Sequence, residues 1–151
     1  MTEPSPADGG PRTGRDDHAA SARAQTQSIE SDAEPAAVLA LIADPRHLPT
    51  WAPAFADAVV QDPDAGWQAT KDGRSFLLHV AVSQDAGTVD YLREVAPGRQ
   101  GGAYLRAVPR PGDGSVITMT VPLPPEVDPG STAATLRDEL AALQRLLAQN
   151  H

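Results

Sequence analysis

Asp128-Pro-Gly-Ser-Thr-Ala-Ala-Thr-Leu-Arg-Asp-Glu-Leu-Ala-Ala-Leu-Gln-Arg-Leu-Leu-Ala-Gln149 stands at the end of the chain. Its first four residues, Asp128-Pro129-Gly130-Ser131, make a helix start, and from Thr132 to Gln149 no Gly or Pro interrupts. Ala133, Leu136, Leu140, Leu143 and Leu147 recur at spacings of three and four, which places them on one helical face. Arg137, Asp138, Gln144 and Arg145 fall elsewhere on the cylinder. At about 1.5 Å per residue the segment reaches roughly 27 Å, enough to cross a whole sheet. Such a stripe of leucines reads as core rather than as a seam for another protein.

The partner for that stripe precedes it. Ala54 to Gln61, Gly66 to Lys71, Arg74 to Ser83, Thr88 to Val95, Gly101 to Val108 and Ser115 to Leu123 are β-type runs. They are separated by turn chemistry at Asp62 to Gly66, Asp72-Gly73, Asp85 to Gly87, Pro97-Gly98 and Pro109 to Gly114. Connections this short force antiparallel neighbours, because a parallel pair needs a crossover of about a dozen residues or more. The pair Gly101-Gly102 is read here as a turn feature at a strand end.

Upstream, Ala24 to Glu30 has the extended, Thr- and Gln-rich look of a strand. Ser31 and Glu34 then stand at capping-box spacing before Pro35, so a helix is expected to start there. Val38, Leu41 and Ile42 supply its apolar stripe, and Asp44-Pro45 stops it. The proline-dense stretch from Pro45 to Pro53 fits only a short second helix leading to Trp51. Residues 1 to 23, rich in Pro, Gly, Ser, Asp and Arg, cannot bury enough surface to offset their ordering entropy. They are expected to be a disordered tail, His18 included, with one domain over 24 to 151.

The expected fold class is therefore α+β, a helix-grip arrangement: a curved antiparallel sheet of six to seven strands around the long C-terminal helix, with two short helices after the first strand. This order, with Ala33-Glu34-Pro35 opening the first helix, the break at Asp44-Pro45, Trp51 ending the second and the terminal helix after Pro124-Pro125, resembles the SRPBCC or START-like superfamily. Within it the chain is most similar to short bacterial proteins labelled polyketide cyclase/dehydrase-like. The resemblance implies a pocket for a hydrophobic or aromatic molecule, lipid-like or polyketide-like, and no particular reaction. The superfamily spans plant ligand carriers, lipid-transfer domains, aromatic cyclases and co-chaperones.

Composition narrows the function classes. A formal net charge of -8 argues against the polyanion surface of nucleic acid, and Lys71 is the sole lysine. The excess of Ala, Pro, Gly and Arg reads as the codon bias of a GC-rich genome. With no cysteine in the sequence, disulfides, thiolate zinc sites and cysteine nucleophiles drop out. No apolar run approaches the roughly 18 residues of a membrane span, and the N-terminus lacks the pattern of a secretory leader. A cytoplasmic protein, monomer or homodimer, is the expectation. No glycine pattern for a nucleotide and no nucleophile elbow occurs, so no cofactor is expected.

The hairpin Phe76 to Val95 sets which side chains would face a cavity. An even loop puts Val80 opposite Tyr91, with Phe76, Leu78, Val80, Val82, Val89, Tyr91 and Val95 sharing a face with Arg93 and His79 outside. A left-handed bulge at Gly87 would add a loop residue and bring His79 beside Tyr91 and Arg93. The first register separates apolar from charged residues more cleanly. Tyr91 and Arg93 are the candidate polar groups of the pocket, able to orient a carbonyl or carboxylate, against a packing and rim-snorkelling alternative. Trp51, Phe55, Trp67 and Met119 are expected between helices, sheet and cavity mouth, and Leu136, Leu140 and Leu143 on the helix side. His47 and His79 have no ligand spacing, so no metal site is assigned, and no catalytic residue is identified.

Three functions fit these residues. One is a binding module for an apolar or aromatic metabolite. Another is a cyclase or dehydratase in which Tyr91, Arg93 or His79 polarises a carbonyl or moves a proton. The third is a co-chaperone-like interaction domain, which would need an exposed apolar patch.

Overall fold

The computed structural model describes residues 24–64 and 66–149. The tail expected over residues 1 to 23 lies outside the described residues, as do Asn150 and His151. The chain forms β1 (Ala24–Ser31), α1 (Pro35–Ile42), a 3-10 turn (Pro45–His47) and α2 (Leu48–Trp51). The strands β2 (Ala58–Asp62), β3 (Gly66–Lys71), β4 (Arg74–Ser83), β5 (Thr88–Ala96), β6 (Arg99–Pro109) and β7 (Ser115–Pro122) follow, and α3 (Pro129–Gln149) comes last. The seven strands make one antiparallel sheet in the order β1-β7-β6-β5-β4-β3-β2. This is the helix-grip α+β fold, with β2 to β7 as a meander and β1 returned to the free side of β7.

Local chemistry sets the hairpins. Asp72 and Gly73 both take positive φ, 53° and 79°, and join Lys71 to its partner Arg74 through a two-residue turn whose twist suits the flanking strands. The β4–β5 hairpin pairs Val80 with Tyr91, so Phe76, Leu78, Val80, Tyr91 and Arg93 share the inner face and His79 lies outside, opposite Leu92. Gly87 does adopt the left-handed conformation, at φ 72°, yet the loop from Gln84 to Gly87 stays even between Ser83 and Thr88. The left-handed glycine therefore adds no shift.

Four sequence expectations need correction. Ser31 and Glu34 form no capping box: Ser31 ends β1 and its hydroxyl accepts from the Ala33 amide, while the Glu34 carboxylate accepts from the Gly114 amide across the fold. The second run begins at Ala58, not Ala54, because the Phe55 and Ala56 amides turn back onto the Ala52 carbonyl after Pro53. Gly101 and Gly102 lie inside β6 rather than in a turn. Val82 and Val95 are 42% and 59% exposed despite their inner-face parity. Val95 falls where the β5–β6 register shifts between Glu94 and Ala96, and it stands at the open mouth of the cavity.

The core lies between the inner face of the sheet and the helices. α1 buries Val38, Leu39, Leu41 and Ile42 against the sheet and α3, while Ala36, Ala37 and Ala40 form its exposed face. α3 starts three residues earlier than the leucine pattern indicates, with the Asp128 carboxylate accepting from the Ser131 amide as its cap. At its observed 21 residues it is about 32 Å long. It runs beside β1 and buries Leu136, Leu140, Leu143 and Leu147, together with one acid, Glu139.

Candidate functional site

A cavity of about 890 Å³ opens between the ends of β5, β6 and β7, helix α2, the segment before α3 and the first half of α3. It exists because β6 has almost no side chains there. Gly101 stands opposite Arg93 and Ala103 opposite Tyr91, while further along the same face Leu105 is fully buried against the core. Leu48, Trp51, Phe55, Met119, Leu123 and Leu136 form its apolar walls. Exposed Val95, Arg99, Gln100 and Glu126 stand at its mouth.

Of the residues expected at the pocket, Trp51, Phe55, Tyr91, Arg93, Met119 and Leu136 line this cavity. Trp67, Phe76, Leu78, Val80, Leu140 and Leu143 do not. Leu140 and Leu143 are buried in the second half of α3, past the cavity end. Trp67 and Leu78 oppose one another on β3 and β4, where Leu78 is in the core and the Arg46 guanidinium covers the Trp67 ring at 5.7 Å. Phe76 acts one layer back: it meets Phe55 edge-on at 5.8 Å and carries the Arg93 guanidinium on its face at 4.1 Å. Face alternation assigns Phe76, Leu78 and Val80 to the inner side of the sheet, but the position of the void along the strands is not contained in it.

Tyr91 is only 1% exposed, and its hydroxyl donates to the carbonyl of Ile42 at the end of α1. Burial pushes the phenol well above its ordinary pKa, with the nearby Asp44 charge adding to the effect. Tyr91 therefore fastens α1 to β5 and offers the cavity its ring, which tilts against Trp51 with centroids 6.2 Å apart. Tyr91→Phe is expected to cost about 1–3 kcal/mol in urea unfolding, since it leaves the Ile42 carbonyl buried without its donor. An unchanged midpoint would show that this bond contributes nothing.

The polar groups left for a ligand are few. Trp51 Nε1 and Arg93 Nε are buried without a hydrogen-bond partner among the described residues, and both residues belong to the cavity wall. Leaving such a donor unmet costs about 1–3 kcal/mol; the two nitrogens belong to different elements, α2 and β5, and neither shows surface to the cavity. Glu139 also lines the cavity, at 8% exposure, and no hydrogen bond or ion pair holds it among the described residues. Burial, and secondarily the neighbouring Asp138 charge, pushes its carboxyl up to about 7.

The leucine pattern passed over Glu139, although its place three residues after Leu136 and four before Leu143 puts it on the apolar stripe. His79 is exposed on the outer face, and His47 lies on the surface 3.9 Å from Asp44, which Arg46 already holds in two bonds. Among the described residues no three His, Asp or Glu side chains gather as metal ligands, and no helix is long and apolar enough to cross a membrane.

The sequence profile described as polyketide cyclase / dehydrase and lipid transport matches residues 23–149, which takes in the sheet, the cavity and all three helices. The chain belongs to that family. No curated protein matches this family member. Among solved structures it is similar to XoxI from Bacillus cereus, with 19% identity and a TM-score of 0.61 over 85% of this chain and 98% of that one. It is similar to a START superfamily protein from Mycobacterium smegmatis, with 14% identity and a TM-score of 0.60 over 85% and 99% of the two chains. It also resembles the di-domain ARO/CYC BexL of the BE-7585A biosynthetic pathway, with 19% identity and a TM-score of 0.60 over 82% of this chain and 45% of that one. At these identities the likeness establishes the fold shared by the family.

Proposed function

We propose that this family member binds a small hydrophobic or aromatic molecule, lipid-like or polyketide-like, in the cavity beside α3. The observation that carries the proposal is a void of about 890 Å³ walled by Leu48, Trp51, Phe55, Met119 and Leu136. That volume lies in the range of roughly 300–1,000 Å³ occupied by small-molecule sites. The neutral fluorophore N-phenyl-1-naphthylamine is expected to bind saturably with one site per chain. Ala103→Leu, which pushes a side chain into the void opposite Tyr91, is expected to weaken it about tenfold or more while the circular dichroism spectrum is kept. Non-saturable binding would end the proposal. Native mass spectrometry of protein taken from its own cells would show the physiological occupant directly.

A cyclase or dehydratase is the second reading, favoured by the family's description and by a guanidinium in the cavity wall. The cavity would fold the chain of the substrate, and Arg93 would polarise a carbonyl as an enolate develops. Tyr91 and His79 fit that chemistry poorly, the one tied to Ile42 and the other facing out. Formation of a cyclised product from a poly-β-keto substrate, lost in Arg93→Ala, separates an enzyme from a carrier.

A further inference from the structure

We propose that the cavity selects an apolar molecule bearing one acidic oxygen group, a carboxylate or an enolate, which Arg93 receives and whose entry Glu139 regulates. The inference rests on the cavity being a ligand site and specifies the chemistry it accepts.

Arg93 is the first ground. The ion-paired cations Arg46, Lys71 and Arg110 each meet a carboxylate: Asp44, Asp57, and Glu30 with Asp32. Arg93 meets none among the described residues, and its Nε is buried without a partner. Its guanidinium lies over the Phe76 ring at 4.1 Å, and the residue lines the cavity with no hydrogen bond or ion pair to its terminal nitrogens among the described residues. Across the strand pair stands Gly101, so β6 sets no side chain opposite it.

Glu139 is the second ground. It enters the same cavity from α3, and it pairs neither with Arg93 nor with any other cation among the described residues. The other titratable or charged groups around the cavity are Tyr91 of β5, Arg99 and Tyr104 of β6 and Glu126 before α3, with Asp138 next to Glu139 on its own helix. Helix α1 carries no charged residue, and Glu30 of β1 is taken up by Arg110. With the Glu139 carboxyl held up to about 7, the cavity below that pH shows an incoming ligand the charge of Arg93 without an opposing carboxylate inside. Above it, ionised Glu139 repels an anion entering the cavity.

Calorimetric titration of the full chain with three probes of one shape tests this: 2-naphthoate, neutral 2-methoxynaphthalene and 2-naphthylmethylammonium, at about pH 6 and about pH 8. At the lower pH naphthoate is expected to bind about tenfold or more tighter than the neutral probe, the size of a charge-assisted hydrogen bond. Arg93→Gln is expected to erase that preference. The preference should shrink about tenfold at the higher pH, and Glu139→Gln should hold it constant. Equal binding of acid and neutral probes overturns the inference while leaving the cavity as a ligand site. So does a preference for the ammonium, which would make Glu139 the anchor. If no probe binds, the ligand-site reading itself falls. The ranking of probes on the unaltered chain, and its change with pH, needs no variant to fold.

Discussion

Gly102→Ala is expected to abolish stable folding or to cost about 4 kcal/mol or more in urea unfolding. Gly102 sits within β6 at φ 154°, and a Cβ there would lie 1.7 Å from the Tyr91 carbonyl oxygen and 2.9 Å from its carbon. Both neighbours are backbone, so no rotamer relieves the clash; β5 and β6 would have to separate beside Tyr91, which ties α1 to the sheet. Gly101→Ala is the control. Its Cβ would meet only the Val95 side chain, with methyls at 3.0 and 3.4 Å, and Val95 is 59% exposed and has room to shift. The expected cost there is below about 1 kcal/mol. Similar losses in the two variants would show that strand propensity, not backbone approach, requires glycine at these positions.

Glu139→Gln is expected to stabilise the protein at about pH 8 and to leave stability unchanged at about pH 4. Burial raises the folded-state pKa of Glu139 from its ordinary 4.5 to about 7. Below 4.5 both folded and unfolded chains hold the proton and nothing is lost. Between 4.5 and 7 the unfolded chain releases its proton first, so stability falls as pH rises; above 7 the whole penalty remains. The size of the shift corresponds to something on the order of 3 kcal/mol. Glutamine keeps the shape and never ionises, so the variant should gain about 1–3 kcal/mol at the higher pH alone, because the amide is itself imperfectly satisfied in an apolar wall. Paired urea titrations at the two pH values check this. An equal difference at both would mean that shape rather than charge separates the side chains.

A buried acid of this kind is unfavourable for folding, and the unmet Trp51 and Arg93 nitrogens beside it are unfavourable too. They come from three different elements around the cavity, α2, β5 and α3. The far half of α3, by contrast, is a closed core with Leu140, Leu143 and Leu147 each no more than 3% exposed. One helix thus serves two purposes along its length.

The sequence by itself determined the parts of this protein that depend on neighbours in the chain. Turn pairs such as Asp72-Gly73 bounded β3 and β4 at the observed residues, and the spacing of Leu136, Leu140, Leu143 and Leu147 identified the buried face of α3. The separation of apolar from charged residues indicated the register that pairs Val80 with Tyr91. Only the tertiary structure decided where Glu34 would find its partner, since the Gly114 amide comes near through the pairing of β1 with β7. It also decided the destination of the Tyr91 hydroxyl, the exposure of Val95 at the cavity mouth, and which half of α3 meets the void. Periodicity assigns a side chain to a face. A cavity is a difference in side-chain volume among strands and helices far apart in the chain, here Gly101 and Ala103 against Trp51, Met119 and Leu136, and that difference arises when those elements are brought together.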